Sequence, residues 1–511
     1  MPFVLSGAAL AACYLVGWLA CMLSRQHHWR IARLSSRLAL AASLLVPALQ
    51  WGLTRVTPPG LPVVMGMLVA VLGWVIVGYA SRYLRGEPRQ ALFVRAIMFT
   101  LSSVTVLVAS RHLAVMALAW SGTSIGLHYL LTYYAERKTG QIVAHKKFLV
   151  SRMAELCLLG ALVLIYSSVG SLSVDVLNAQ LAAAESLPLA LHGAAVLIAL
   201  AAVLKSAQLP LHGWLIQVME APTPVSALLH AGVVNIGGFV LITLASLIAL
   251  APAAQYLLVI VGSLTAVLAG WVMMTRISIK VRLAWSTCAQ MGFMLVEIGL
   301  GLYELALLHL LAHSIYKAHA FLAVGEAVEH ARLKDYRPHI AGVRGGVSAL
   351  LMVAALVAMP LLLWQLWVPA LTLPLAAVAI LVLGLAPLLW HGPRSLWPRL
   401  GRGALQVLAL LHLYLLWHWL VAGLAPASAP ASPLLLAWTL LAFVLLYAAQ
   451  VAVSHHGQHP LVQRMYPWAY NGFYLDETFT RITFKIWPAR LSPLQAQTRV
   501  NRHTNELGET A

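Results

Sequence analysis

The chain has 511 residues, of which 61% are hydrophobic and only 9% charged, with a mean hydropathy of +0.84. A soluble domain carries about 25% charged residues, so these values exclude a soluble globular protein; nearly the whole chain lies in apolar runs long enough to cross a bilayer, the pattern of an all-α polytopic membrane protein. The formal charge of +18 would suit nucleic acid if it were clustered, and its distribution shows that it is not.

In chain order, the first apolar run, Phe3 to Leu23, has no basic residue before it and no small-residue cleavage site, so it is expected to be a retained helix rather than a signal peptide. Hydropathy then places about fifteen spans, centred near residues 13, 44, 70, 101, 123, 159, 198, 237, 266, 292, 315, 356, 382, 413 and 443. Basic residues fall in alternate loops: Arg25, Arg30 and Arg33; Arg82, Arg85 and Arg89; Arg137, Lys138, Lys146 and Lys147; Arg276, Lys280 and Arg282; Arg332, Lys334, Arg337 and Arg344; Arg394, Arg399 and Arg402; then the tail. The opposite loops hold little beyond Arg55 and Arg111, and the longest carries Asp175 and Glu185. Positive charge on one side marks the cytoplasm. The N-terminus is therefore expected outside, the C-terminus inside, and the charge is a topology signal with no nucleic acid needed.

The longest polar segments are a cytoplasmic loop near 135–148, an outside loop at 170–188, and the tail from 454 onward. The external segment 426–432, PASAPAS, reads as a turn. In the tail, Phe473, Leu475, Phe479, Ile482 and Phe484 interleave with Arg481, Lys485 and Arg490, which suits an interfacial amphipathic helix or a partner-docking segment. HHGQH at 455–459 has metal-ligand residue types, although an exposed tail cluster is more often inert. Cys13, Cys21, Cys157 and Cys288 lie in apolar spans without CxxC spacing, which argues against disulfides, iron–sulfur clusters and thiolate zinc sites. No Walker A sequence and no Rossmann glycine fingerprint is present.

Ionisable groups inside such spans are costly and mark function. Arg152 and Glu155 lie three residues apart in the sixth span and can neutralise each other. Lys205 lies near the middle of the seventh span. Just after it Pro210 removes a backbone donor and clashes with the carbonyl of Ser206, so the helix should break there; broken helices in membranes line cavities. His212 and Glu220 follow, then Pro222 and Pro224, which are expected to be part of the same helix break, and His230. The plainer alternative is a snorkelling lysine beside a proline kink. His309, His313 and Lys317 recur every four residues and share one helical face, as a proton relay requires; the alternative is a set of hydrogen-bonded core side chains. Glu297, Glu326 and Glu329 are further acids near helix ends.

At these residues the chain resembles a known family. KSAQLPLHGWL, EAPTPVSALLHA and HLLAHSIYKAHAF are similar to the signature of the antiporter-like subunits of respiratory complex I (NuoL type) and of the Mrp cation/proton antiporters, over about residues 60–330. The tail phrase YNGFYLDE resembles the NuoL-type C-terminus. The resemblance implies about 14–15 transmembrane helices with two inverted five-helix repeats, each holding a broken helix. It divides the chain into N-terminal helices at 1–91, a first repeat with Lys205 at 92–250, a second repeat at 251–390, C-terminal helices at 391–453 and a cytoplasmic tail at 454–511. It implies proton translocation by Lys205, His230, His309, His313 and Lys317, with Arg152, Glu155 and Glu220 beside them, and no catalytic chemistry or cofactor in this chain.

Two departures stand out. In AWSGTSIGLHYLL, Ser121 occupies the position of the family's glutamate, leaving Glu155 or Glu220 to balance Lys205. The twelfth span, ALLMVAALVAMPLLLWQLW, has Pro360 to break it and no ionisable side chain. A short NuoL-like chain with these features resembles the membrane subunits of DAB-type inorganic-carbon accumulation systems. That resemblance implies a bacterial inner-membrane subunit that conducts H+, or else Na+, and uses the proton-motive force to drive a partner. It also implies a large DabA-like, carbonic-anhydrase-like partner on the cytoplasmic side that carries the zinc. The alternatives are an Mrp-type Na+/H+ antiporter subunit and a NuoL-like proton-pumping subunit.

Overall fold

The computed structural model describes residues 4–486 apart from 25, 55–59, 135, 184–185, 326–341, 369–372, 391–395 and 456–458, and beyond 486 only residue 498. The described residues form helices throughout, joined by short turns. In chain order these are α1 (Val4–Leu23), α2 (His28–Thr54), α3 (Gly60–Tyr83), α4 (Gln90–Ala109), α5 (Leu113–Leu131), α6 (Lys138–Val169), α7 (Val174–Ala183) and α8 (Leu189–Lys205). After the break come α9 (Gly213–Ile216), α10 (Thr223–Ala231), α11 (Ile236–Thr243), α12 (Ala245–Ala249), α13 (Pro252–Thr275), α14 (Ile279–Gly299) and α15 (Tyr303–Leu322). The remainder are α16 (Gly342–Trp367), α17 (Leu375–Leu385), α18 (Leu396–Val421), α19 (Pro433–His455), α20 (Pro460–Tyr470) and α21 (Leu475–Ile486).

Each expected span centre falls inside one of these helices. Among the described residues, 11 helices are long and apolar enough to cross a membrane, and Gly7–Leu23, Leu189–Lys205 and Leu375–Leu389 are shorter apolar helices. The chain is a multi-pass membrane protein. Its outward faces are apolar, with Leu118, Leu156 and Val163 exposed, as lipid contact requires. The Thr223–Thr243 span is almost wholly buried by its neighbours, so α10 and α11 form the centre of the bundle. Close approach of α13 and α14 depends on two glycines: a Cβ at Gly262 would lie 2.5 Å from the Gly292 carbonyl oxygen, and one at Gly292 equally close to that of Gly262.

The expected break occurs. α8 ends at Lys205, so the lysine is the last residue of the helix before the break. Ala207 follows with φ of 53°, a left-handed conformation costing a non-glycine residue about 1–2 kcal/mol. Pro210 lies in the irregular stretch. Pro222 is the N-cap of α10 and Pro224 sits in its first turn, where a missing N–H costs nothing; these two prolines start a helix and do not break one.

Three expectations need correction. α16 runs unbroken through Pro360; neighbouring helices in a membrane protein can satisfy the freed carbonyl. Most of the supposed loop 135–148 is the first part of α6, which begins at Lys138, and Lys146 and Lys147 are buried rather than loop charges. The amphipathic tail helix α21 docks on the chain's own body. Asp476 pairs with Lys146 Nζ at 2.7 Å and accepts from Gln217 Nε2 at 2.5 Å, while Phe473 packs edge-on against Trp271. The side chain of Glu220, residues Glu326 and Glu329, and the centre of HHGQH lie outside the described residues; His459 caps α20 through its ring.

Candidate functional site

Two clusters of ionisable groups lie inside the bundle. The first joins α5, α6 and α8. Lys205 is 8% exposed. Its Nζ donates to the Trp120 carbonyl oxygen at 3.2 Å and to Ser124 Oγ at 3.3 Å, and lies 4.9 Å from the centre of the Trp120 ring. Glu155 Oε1 is 3.6 Å from the same ammonium and accepts from Arg152 Nη2 at 2.8 Å. One carboxylate oxygen therefore faces two cations. Ser121 sits beside this cluster but turns its hydroxyl to the Ala117 carbonyl oxygen. Of the two acids expected to balance Lys205, Glu155 is at the lysine.

The second cluster joins α10, α14 and α15. His230 is fully buried, its ring stacked on Phe321 at 4.4 Å between centroids. His309 Nδ1 meets Glu297 Oε2 at 2.8 Å. The His309 and His313 rings are 6.2 Å apart, and His313 lies within electrostatic reach of His309, Lys317 and His230. Lys317, fully buried, donates to the Leu283 carbonyl oxygen at 2.9 Å. Neither ring nitrogen of His230 or of His313 has a hydrogen-bond partner among the described residues. Beside them Asn235 Nδ2 donates to Ser314 Oγ at 2.6 Å, tying α10–α11 to α15. The four-residue spacing thus gives one line of groups that can each bind and release a proton.

The structure brings Lys205, Arg152 and Glu155 together, and His230, His309, His313 and Lys317 together. No hydrogen bond or ion pair among the described residues joins the two clusters. A cavity of about 390 Å³ adjoins the second, lined by Glu297 with Gln290, Tyr414 and Gln450 among mostly apolar neighbours.

Sequence reasoning missed several of these residues. Glu297 looked like an isolated acid, yet it is the partner of His309. Lys147 lies at four-residue intervals from Ser151 and Glu155 on α6, a stripe that could have marked it. Asp476 had no local signal, because its partner Lys146 is 330 residues away. Among the described residues no group of three or more His, Cys, Asp or Glu side chains could hold a metal ion.

Residues 110–344 match the family model "NADH:quinone oxidoreductase/Mrp antiporter, TM", a segment that contains both clusters. The chain is 39% identical over 488 residues to the "probable inorganic carbon transporter subunit DabB" of Hydrogenovibrio crunogenus (strain DSM 25203 / XCL-2), covering 91% of this chain and 92% of that one. The chain belongs to the DabB family. It is a proton-antiporter-like membrane subunit. This DabB-family chain is also 35% identical over 275 residues to NADH-quinone oxidoreductase subunit L of Escherichia coli (strain K12), covering 53% of this chain and 44% of that one. Its fold is similar to a chain of the Mrp complex from Dietzia sp. DQ12-45-1b, with a TM-score of 0.56 and 22% identity, over 98% of this chain and 58% of that longer one.

Proposed function

We propose that this chain is the energy-coupling subunit of an inorganic-carbon uptake complex, and that it admits protons down their gradient through a half-channel centred on Lys205. The observation that carries this reading is the shared carboxylate. Lys205 ends a broken helix in the interior, and its charge is balanced by Glu155, which also serves Arg152. An ammonium in that position can give up its proton when the carboxylate moves toward Arg152 and regain it when the carboxylate returns. His230, Lys317, His313 and His309 then form the lateral path, and Glu297 beside its cavity is the far terminus. Downhill flow suits the asymmetry of the chain, because α16 lacks both an ionisable group at mid-helix and a break.

The subunit lies in the bacterial inner membrane with its N-terminus outside and its C-terminus in the cytoplasm, a reading supported by the alternation of basic loops. The 39% identity to a protein named as an inorganic carbon transporter subunit supports the cargo. Hydration of CO2 to bicarbonate is assigned to a DabA-like, carbonic-anhydrase-like partner on the cytoplasmic side, which would hold the zinc; proton movement through this chain makes that hydration effectively one-way.

The test is Lys205→Ala in cells dependent on the complex. Inorganic-carbon accumulation is expected to be lost while both subunits still assemble in the membrane. Normal accumulation contradicts the proposal, and salt-sensitive growth without any CO2 requirement would instead favour Na+/H+ antiport.

A further inference from the structure

Between α5 and α6 lies a second cavity, of about 520 Å³. Ser124 and His128 line it from α5, and His145, Lys147, Ser151 and Arg152 from α6; none of its lining residues is acidic. Lys147 is 6% exposed. Its ammonium lies 5.9 Å from the centre of the Trp214 ring and has no hydrogen-bond acceptor among the described residues. The charges that act on it are Lys205, Glu155 and Arg152, and Glu155 is already engaged by Arg152 and Lys205. Three basic groups share this one carboxylate, and two of them, Lys147 and Lys205, are buried while the Arg152 side chain is 40% exposed. Holding a buried ammonium such as that of Lys147 out of water costs several kcal/mol unless an anion or a dense set of acceptors replaces the water.

The donors are arranged for that anion. Arg152 Nε and His128 Nδ1 are buried without a hydrogen-bond partner, and Ser151 is buried on the same lining. A planar guanidinium, an ammonium, an imidazole and a hydroxyl from residues lining one space match the several acceptor oxygens of an oxyanion better than a halide. The same excess of positive charge opposes entry of a hydrated cation.

We infer that this cavity binds a small oxyanion group, a bicarbonate-like or phosphate-like anion held by Lys147 and Arg152, next to the lysine that ends α8. The group comes either from a free ion or from the phosphate of an anionic lipid, since Ile125 and Tyr129 at the cavity rim are exposed on the outer face of the bundle. The inference does not depend on carbon uptake.

Thermal unfolding of the full chain with its co-purifying subunits, in nanodiscs, tests it. In phosphatidylcholine, sodium bicarbonate and inorganic phosphate are added against sodium chloride at equal ionic strength; a parallel series replaces part of the lipid with phosphatidylglycerol. The expected result is a saturable rise in Tm with one of the oxyanions, or with phosphatidylglycerol, reduced at least tenfold in apparent affinity by Lys147→Met and retained by Lys147→Arg. A response to the soluble ions identifies a free ion, and a response to phosphatidylglycerol alone identifies a lipid headgroup. If K147M does not assemble, His128→Leu provides the same readout. Equal responses of wild type and variant to every anion, or no response in either series, would overturn the site.

Discussion

Glu155→Gln isolates the step on which proton exchange at Lys205 depends. The carboxylate oxygen stands 3.6 Å from the ammonium, an attraction of roughly 4–5 kcal/mol at an effective dielectric of about 20. The Arg152 side chain that shares it is 40% exposed, so water screens that side, and about half of the attraction, ~2 kcal/mol, is the expected loss. At about 1.4 kcal/mol per factor of ten, the charged form of Lys205 becomes about thirtyfold harder to populate, and proton flux carried by it falls by a similar factor. The assay is the purified complex in liposomes with an entrapped pH dye and an imposed potassium diffusion potential. Glu155→Asp, which keeps the charge, should retain most of the flux. Ser121→Glu in the E155Q background should recover part of it, because Ser121 adjoins Trp120, whose carbonyl accepts from Lys205. An E155Q flux within twofold of wild type, with K205A silent in the same assay, would refute the role of Glu155 as counter-charge.

Three further outcomes follow from the contacts. Asp476→Asn leaves the fully buried Lys146 without its carboxylate, a loss of about 3–5 kcal/mol; limited trypsinolysis should then cut at Arg481, and unchanged protection would show that the pair does not hold α21. Gly213→Ala places a methyl group against the same carboxylate and should expose the tail in the same digest. Glu297→Gln removes the charged partner of His309, a hydrogen bond of about 1.5–3 kcal/mol; flux should fall about tenfold or more in the liposome assay, and full flux would remove Glu297 from the path.

Much of the bundle was legible because span length and apolar runs depend on the bilayer alone. Lys205 was legible for the complementary reason, as an ionisable group next to a proline in an apolar setting, and the histidine stripe because its four-residue period is local. The partners were not. Glu155 reaches Lys205 only through the packing of α6 on α8, and Glu297 reaches His309 across α14 and α15. Lys146 and Lys147 resembled loop charges because a basic residue near a helix end gives the same topology signal whether it faces solvent or protein. Pro360 lies inside an unbroken α16: a local rule about proline does not include the neighbours that accommodate it.

The central claim is that protons entering at Lys205 drive carbon accumulation. The direct measurement follows cytoplasmic pH and labelled inorganic carbon together, in the same cells, after a pulse of CO2. The account predicts that wild type accumulates carbon only with a matching proton movement, that a protonophore abolishes accumulation, and that K205A shows neither signal although the complex is present. Carbon accumulation in K205A, or accumulation in wild type that persists after the proton gradient is collapsed, would contradict it.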